Sequence, residues 1–176
     1  IREKMIGEIA AEEKYDGERV QAHIKKGKIT LFSRRLENTT RQFPDVAKDL
    51  LNRIKSKSCV VEGEIVPVDS KGNLLQFQVL MQRRRKYDVE VYVKKVPVEL
   101  RLFDLLELNG KSYLYKSYPE RHNALEKITR ESRITKLAKR KVCKDVDCVE
   151  DFFQQALERG CEGIIAKSCA KNAVYQ

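Results

Sequence analysis

Residues 12–19, Glu12-Glu13-Lys14-Tyr15-Asp16-Gly17-Glu18-Arg19, decide how the rest of the chain is interpreted. Short runs rich in apolar residues lie on either side, at 7–11 and 20–24, and each has the length of a β-strand. Because an Asp-Gly pair between two such runs is a strong turn signal, we predict a hairpin here. The hairpin would carry Lys14 at its mouth and Arg19 on the return strand. An ordinary charged surface hairpin is the alternative.

A lysine close to a glycine and an arginine suits chemistry on a phosphate. The neutral amine of Lys14 could attack the α-phosphate of a nucleoside triphosphate and form a phosphoamide. An unperturbed lysine has a pKa of about 10.4, so desolvation and nearby positive charge would have to favour the neutral form. Gly17 would let the backbone approach a nucleotide, and Arg19 offers a planar fork to phosphate or ribose oxygens. On an extended strand, Glu12, Lys14 and Asp16 share one face.

The composition indicates one domain with a basic surface. The chain has 176 residues, enough for a core with two lobes, and a formal net charge of +10. That charge predicts a polyanionic partner such as nucleic acid, nucleotide phosphates or an acidic membrane surface, with simple solubility as the alternative. We see no run of about 18 apolar residues and no signal peptide, and therefore expect an intracellular protein of the cytoplasm or nucleoid. The first residue is Ile1 rather than methionine, which suggests an excised fragment.

The cysteine pattern does not match a common metal site. The chain has an odd number of cysteines and no C-x-x-C motif: Cys59, Cys143, Cys148, Cys161 and Cys169. We therefore expect reduced, mostly buried thiols in an intracellular protein, and a structural metal is the less favoured alternative.

The remaining pattern predicts short strands and helices separated by turns, as at 69–73 and at Asn109-Gly110. The segment 134–142 stays ambiguous, with an extended conformation as one option. The basic run at 82–86 is expected to be solvated or to make a weak contact with a nucleic-acid backbone. Further strands are predicted at 29–32, 59–68, 96–108 and 161–168, and helices at 44–57, 77–81, 119–129 and 147–157.

Two predicted strands carry side chains with two possible roles. Glu62 and Glu64 share one face of the strand at 59–68, so they face either water at a sheet edge or a magnesium ion, ribose or arginine. Alternation in the strand at 96–108 puts Phe103 on a face with two charged residues. Phe103 is therefore either a core residue or a flat surface on which a base could stack.

The last predicted helix and strand also carry candidate functional residues. Asp147 is a reasonable N-cap and Gly160 a reasonable C-cap for the helix. In the strand at 161–168, Glu162 stands at the start and Lys167 near the end. Alternation places these two side chains on opposite faces unless a bulge intervenes.

Five segments in order resemble the motifs of the covalent nucleotidyltransferases, the polynucleotide ligases and the mRNA-capping guanylyltransferases. The resemblance is closest to ATP-dependent DNA ligases of the archaeal and eukaryotic replicative type, and it covers nearly the whole chain. The residues that carry it are Lys14-x-Asp16-Gly17-x-Arg19, Leu31–Asn38, Val61–Val66, Leu102–Gly110 and Cys161–Lys167.

This resemblance implies an α+β fold of the DNA ligase/mRNA-capping nucleotidyltransferase type, ATP-grasp-like in form. Two packed antiparallel sheets, flanked by helices, would hold a nucleotide in the cleft between them. The implied activity is ATP-dependent DNA ligation through a lysyl-AMP intermediate, with ATP and Mg²⁺ as cofactors and nicked double-stranded DNA as partner. A role in replication, repair and recombination, a sliding clamp bound through regions outside this chain, and a monomeric state are also expected.

The resemblance also implies roles for individual residues. Lys14 is similar to the lysine that becomes adenylated, and Glu12 to the acidic residue beside the adenine amino group. Among the others, Phe103 matches the aromatic that packs on adenine, and Lys167 matches the end of a nucleotide-binding motif. Nucleotide-binding arginines correspond to Arg19 and Arg34, a glutamate near ribose and metal to Glu64, and a metal-binding glutamate to Glu162.

The family pattern extends beyond this sequence. Residues 1–176 correspond to an adenylation domain that stops before the lysine pair of the last motif, and an N-terminal DNA-binding domain and a C-terminal OB-fold would be absent. We expect such a fragment to self-adenylate slowly and to seal no nicks. The rival enzymes are an RNA ligase or a capping guanylyltransferase, against which the segment 102–110 argues. A non-catalytic nucleic-acid-binding domain is the rival from another class.

Overall fold

Two β-sheets and five helices make up the computed structural model, which describes residues 7–83 and 88–175. The smaller sheet has the strand order β8-β1-β9, and the larger has β3-β2-β4-β5-β6, with β7 beside β5. All pairs are antiparallel except β5 with β7. The strands are β1 Ile9–Lys14, β2 Glu18–Lys25, β3 Lys28–Ser33, β4 Ser58–Pro67, β5 Val98–Leu108, β6 Lys111–Ser112, β7 Thr135–Leu137, β8 Arg140–Cys143 and β9 Gly163–Ser168. The helices are α1 Pro44–Arg53, α2 Phe77–Leu80, α3 Val89–Lys95, α4 Tyr118–Ile128 and α5 Val146–Glu158.

The predicted hairpin between β1 and β2 is wrong. β1 pairs with β8 and β9, whereas β2 pairs with β3 and β4, so the segment from Tyr15 to Gly17 crosses from one sheet to the other. The Asp-Gly pair does mark a tight change of direction, but a turn signal does not say which strands pair. Gly17 is needed because β4 lies directly behind it: a Cβ there would overlap the Ile65 carbonyl oxygen. The close approach that Gly17 allows is therefore an approach to the backbone of β4.

The main core lies between the larger sheet and the helices α1 and α4. Alternate residues of β2 are buried in it, which gives the strict in-and-out pattern of a half-exposed strand. Val46 and Leu50 of α1 and Leu125 of α4 complete the core from the helix side. The other face of the larger sheet is thereby left free to form a cleft. Helix α5 packs against the strands of the smaller sheet.

Most of the predicted strands and helices are present, with local corrections. The ambiguous segment 134–142 contains two strands, β7 in the larger sheet and β8 in the smaller one. Asn109 and Gly110 both have positive φ, as a two-residue hairpin turn requires, and they join β5 to β6. Asp145 rather than Asp147 caps α5, through a 2.8 Å hydrogen bond from the Cys148 amide. Helix α3 was not predicted.

The basic run was predicted to be solvated, and this is wrong for Arg83, which the structure describes. Arg83 is almost completely buried, with Nη1 and Nη2 at 2.7 and 2.8 Å from the carboxylate of Asp45. Its Nε donates to the carbonyl of Val96 at 2.8 Å. Bidentate pairing of this kind lets an arginine be buried at a site where a lone charge could not be. Residues 84–86 of the run lie outside the described residues.

The expectation of reduced cysteines holds only in part. Cys59 and Cys161 are free and buried, and Cys169 is free and half-buried. Cys143 and Cys148, however, form a disulfide, because β8 ends and α5 begins between them and brings their Cα atoms to 5.5 Å. The spacing of the two cysteines in the sequence does not reveal that turn. Within 7–83 and 88–175, no helix has the length and apolar character needed to cross a membrane.

Candidate active site

A cleft of about 940 Å³ opens between the two sheets. It is lined by β1 and β9 of the smaller sheet, by β2, β4 and β5 of the larger one, and by the crossing segment at Asp16 and Gly17. All eight predicted site residues line it: Glu12, Lys14, Arg19, Arg34, Glu64, Phe103, Glu162 and Lys167. Their individual roles stay predictions, but the structure brings all of them together.

Lys14 is the last residue of β1 and reaches the mouth of the cleft. Its Nζ contacts the carboxylate of Glu162, and both side chains are about half exposed, at 51% and 41%. The Glu162 amide also donates to the Lys14 carbonyl at 2.9 Å, which fixes the two residues side by side. The expected desolvation and neighbouring positive charge are therefore not seen around Lys14, since its direct partner is an anion.

The half-buried Lys167 and the buried Glu12 form an ion pair on the inner wall. Lys167 Nζ donates to Glu12 Oε1 at 2.6 Å, and the Tyr118 hydroxyl donates to Oε2 at 3.0 Å. Burial raises the pKa of Glu12 above its usual value, an effect that the Lys167 ammonium and the Tyr118 hydroxyl oppose. The Lys167 ammonium also lies over the rings of Tyr118 and Phe103, at 4.7 and 5.1 Å from their centroids.

The prediction that the side chains of Glu162 and Lys167 lie on opposite faces of the strand is wrong. Strand β9 begins only at Gly163, so Glu162 precedes the strand and the alternation of side chains does not reach it. Both side chains face the cleft. The parity argument failed because it assumed a strand two residues too long.

Glu62 and Glu64 lie on a central strand, which rules out the water-facing edge. Arg19 Nη2 donates to both Glu62 oxygens, at 2.9 and 2.8 Å, and to the Tyr175 hydroxyl at 3.0 Å. The Tyr175 hydroxyl donates in turn to Glu62 at 3.0 Å. The cation that the two glutamates required is therefore Arg19. Tyr175 was not expected at this site, because a single tyrosine outside a strand gives no pattern to notice.

Burial also alters the acidity of Glu64, on the wall of the cleft that β4 forms. Burial raises its pKa from 4.5 to about 7; Arg19 and Lys14 oppose the rise, and the carboxylates of Glu18 and Asp16 add to it. Glu64 can therefore change its charge near neutral pH. A group of this kind in a cleft marks a candidate functional site.

Phe103 faces the cleft because it alternates with the core residue Leu102, and an irregularity of β5 at this point brings Asp104 to the cleft as well. Leu102 pairs with Gly63 and Asp104 with Glu62, so Phe103 is skipped in the register. Phe103 and Asp104 consequently both line the cleft, although strict alternation separates them. One side of the Phe103 ring packs on the cluster that contains Tyr15, and cations approach the ring from the cleft.

A second set of residues lines the cleft without having been predicted. Arg121 of α4 binds Asp104 through Nε and Nη2, at 2.7 and 3.1 Å. Together with Tyr118, these residues form a rigid wall behind Lys167 and Glu12. Asp104 stands in the motif segment Leu102–Gly110 but had no role assigned to it. Arg121 stands in a segment whose pattern predicted only a helix, and Tyr118 directly precedes that segment. Among the described residues, no group of three or more histidine, cysteine or acidic side chains is arranged to hold a metal ion.

Known protein families and relatives point to the same kind of enzyme as this cleft does. The model of the ATP dependent DNA ligase domain matches residues 1–176. The chain belongs to this family. Its relatives include DNA ligase 1 of Methanosarcina barkeri, 46% identical over all of this chain and 33% of that protein. DNA ligase of Sulfolobus acidocaldarius is 44% identical over all of this chain and 30% of its own length. The ligase domain described here thus spans about a third of the curated relatives it matches.

Solved structures confirm the predicted α+β fold of this ligase domain. The mycobacterial DNA ligase D complexed with ATP and MES shares 27% identity at a TM-score of 0.69, over 96% of this chain and 50% of that one. Chlorella virus DNA ligase-adenylate matches at 14% identity and a TM-score of 0.61, over 96% and 56%. An archaeal ATP-dependent RNA ligase also matches, at 16% and 0.60, over 98% and 42%. The last two likenesses show the fold alone, which DNA and RNA ligases share.

Proposed function

We propose that this ligase domain serves an ATP-dependent DNA ligase and that Lys14 forms a covalent intermediate with AMP. The observation that carries the proposal is the cleft itself, because two lysines, three arginines, four aromatic rings and several carboxylates converge there from distant parts of the chain. The whole-chain match to the ligase family supports the same reaction. A non-catalytic nucleic-acid-binding domain would not need this arrangement.

In the first step, Lys14 Nζ attacks the α-phosphorus of ATP. A P–N bond forms, the P–O bond to the β-phosphate breaks, and pyrophosphate leaves with the bonding electron pair. Lys14 must lose a proton before it can attack, and the Glu162 carboxylate is the base in direct contact with it. Positive charge from Arg19 and Arg34 balances the charge that develops on the phosphate oxygens.

The next two steps use DNA. The 5′-phosphate of a nick attacks the phosphorus of lysyl-AMP, and Lys14 leaves as the free amine. The 3′-hydroxyl then attacks the 5′-phosphorus, AMP leaves, and a phosphodiester bond closes the nick. Nicked duplex DNA is therefore the proposed substrate, in replication, repair and recombination within the cell. The sliding clamp, the monomeric state and the flanking DNA-binding and OB-fold domains stay predictions.

The wall residues suit recognition of the nucleotide. The ring of Phe103 is open to the cleft and can stack on adenine, and the ion pair of Glu12 with Lys167 lies beside it. Mg²⁺ is usually held by one or two carboxylates together with substrate phosphates. Glu64 and Glu162 both line the cleft, and these two carboxylates would hold the ion together with the phosphates of ATP. When bound, Mg²⁺ would neutralise phosphate charge.

The test is to label the natural protein that carries this sequence with [α-³²P]ATP and Mg²⁺ and to map the adenylated peptide. We expect label on the peptide that contains Lys14, none in Lys14→Ala or Lys14→Arg, and normal label in the matched control Lys71→Ala, an exposed lysine outside the cleft. Guanidinium stays protonated and cannot attack, which is why arginine also fails. Wild-type labelling of Lys14→Ala refutes the proposal, and labelling by GTP in place of ATP points to a capping enzyme.

Nicked duplexes separate the two classes of ligase. The protein should seal a nick between deoxynucleotides, using the AMP that is already bound to Lys14. Sealing only of nicks in RNA would instead assign it to the RNA ligases, whose fold it shares.

A further inference from the structure

The wall of the cleft that β2 forms continues beyond the cleft as an exposed row of polar side chains. Arg19, Gln21, His23 and Lys25 alternate with buried residues along β2 and therefore share one face. Gln21 Nε2 donates to Glu62 Oε1 at 3.2 Å, and Gln21 Oε1 is 2.7 Å from His23 Nε2. These contacts confirm that the row lies on the same face as the cleft and leads away from it.

The neighbouring strand β3 adds a second row beside the first. Phe32, Thr30 and Lys28 stand opposite Gln21, His23 and Lys25 in the register. The rings of His23 and Phe32 meet edge to face at 5.1 Å, which places both on the outer surface. The sequence from 20 to 33 contains no acidic residue, and Glu62 of β4, the carboxylate that contacts the first row, is paired with Arg19 and Gln21.

Both rows end in a cluster of lysines that three chain segments bring together. The β2–β3 turn, the start of β4 and the β5–β6 turn meet here: Lys25 stands opposite Ser58, and the Lys57 amide donates to Asn109 Oδ1 at 3.0 Å. We call this cluster the basic end. It consists of Lys25, Lys26, Lys28, Lys57 and Lys111, all exposed.

The charges of the basic end are not neutralised by the protein. Within the described parts of the chain, no carboxylate lies within 4.0 Å of any of these five ammonium groups, whereas lysines in the cleft are paired. Lysines that approach one another without anionic partners repel each other, and a polyanion from outside relieves that repulsion.

We propose that the row on β2 and the basic end form a phosphate track, a surface that holds the backbone of duplex DNA on one side of the nick. The proposal rests on the proposed function, because it takes the cleft as the place where the nick reacts. From Arg19 to Lys25 the strand advances about 20 Å, at roughly 3.3 Å per residue. That length corresponds to about six phosphates of one strand, at about 3.4 Å along the helix axis for each.

The chemistry of the track favours a nucleic-acid backbone over an acidic protein. Lysine ammonium groups and the hydroxyl, amide and imidazole groups of the two rows are the groups that contact phosphate oxygens in protein–DNA complexes. The track also runs without a break into the cleft that would hold the 5′-phosphate of the nick. Backbone contacts carry no sequence information, so binding through the track is independent of DNA sequence.

The test compares two triple variants of the natural protein that carries this sequence. Lys25→Gln/Lys26→Gln/Lys28→Gln removes charge from the track. Lys71→Gln/Lys94→Gln/Lys95→Gln removes the same charge from exposed positions at the opposite end of the larger sheet, where Pro67 pairs with Val98. The dissociation constant for a nicked duplex is measured at several salt concentrations, and lysyl-AMP formation and the melting temperature are measured separately.

Each phosphate contact contributes about 0.9 to the slope of log Kd against log salt concentration, so the track variant should lose between about 1 and 3 from that slope. The control variant should keep the wild-type slope, and both should form lysyl-AMP normally. An unchanged slope in the track variant, or equal losses in both variants, overturns the proposal. A wild-type protein that forms no lysyl-AMP contradicts the proposed function instead, and the slopes can still be compared.

Discussion

Gly17 joins the two sheets next to the proposed nucleophile, and replacing it should disturb both stability and catalysis. In Gly17→Ala, the added Cβ would overlap the carbonyl oxygen of Ile65 and lie 2.9 Å from Glu64 Cγ and from Val66 Cγ1. Ordinary contacts begin at 3.4 Å, so the two side-chain contacts alone require a shift of about 0.5 Å. The carbonyl requires more, and it cannot yield easily because β4 is paired on both sides, at Ile65 with Glu18 and Leu100.

The crossing segment must therefore move, and it carries Lys14 with it. Overpacking of this kind costs roughly 1–3 kcal/mol of stability. A displacement approaching 1 Å at a reacting group can lower a rate about 100-fold. We expect Gly17→Ala to melt at a lower temperature and to form lysyl-AMP at least tenfold more slowly, measured as a single turnover with labelled ATP.

Gly110→Ala is the matched control. Gly110 has a φ of +83° but nothing within 4 Å of an added Cβ, so the change strains the backbone without crowding it. This variant should lose some stability and keep the wild-type rate of adenylation. If Gly17→Ala instead matched the wild type in both melting temperature and rate, the argument from the contact with β4 would be refuted.

Three further substitutions test other parts of the structure. Burial raises the pKa of Glu64 from 4.5 to about 7, so between these pH values the folded protein binds more protons than the unfolded chain, and its free energy of unfolding falls as pH rises. In Glu64→Gln, the melting temperature across this pH window should therefore depend less on pH. An unchanged pH dependence would contradict the raised pKa of Glu64. Phe103→Ala should raise the KM for ATP, since stacking contributes on the order of 1 kcal/mol, with a smaller loss of stability than the roughly 3–5 kcal/mol of a core phenylalanine; a melt beside an ATP titration distinguishes the two. Arg83→Met leaves Asp45 without its partner and should cost about 3–5 kcal/mol in denaturant unfolding, most of which Arg83→Met/Asp45→Leu should restore; a single variant as stable as the wild type would show that the buried pair is not needed.

The sequence was sufficient to predict eight of the residues that line the cleft, but not Asp104, Tyr118, Arg121 or Tyr175, and not the geometry. The resemblance to the ligase motifs implied that Lys14, Glu64 and Glu162 lie in one cleft, and all three line it. Strand pairing was not predictable in the same way. Lys14 pairs with Gly163 in the register, and nothing in the sequence near either residue indicates this pairing.

The other errors have local physical causes. Alternation along β5 cannot reveal that Asp104 joins Phe103 at the cleft, since a bulge changes the face of a side chain without changing the sequence pattern. Arg83 looked like part of a solvated run because burial of an arginine depends on a carboxylate, Asp45, that is distant in sequence. The disulfide between Cys143 and Cys148 likewise depends on a turn that the cysteine spacing does not show.

The separation of β1 from β2 has a consequence for how the chain folds during synthesis. Strands β2 to β5 pair with near neighbours in sequence, so most of the larger sheet can form while the rest of the chain is still being made. β1 must wait for β8 and β9, which follow it by more than 100 residues. Until then it is an unpaired strand at the beginning of the domain, apolar in its first half and charged in its second. The proposed nucleophile, Lys14, is therefore among the first residues of this domain to be translated and among the last to reach its final environment, and we expect adenylation to begin only after Ser168 has left the ribosome.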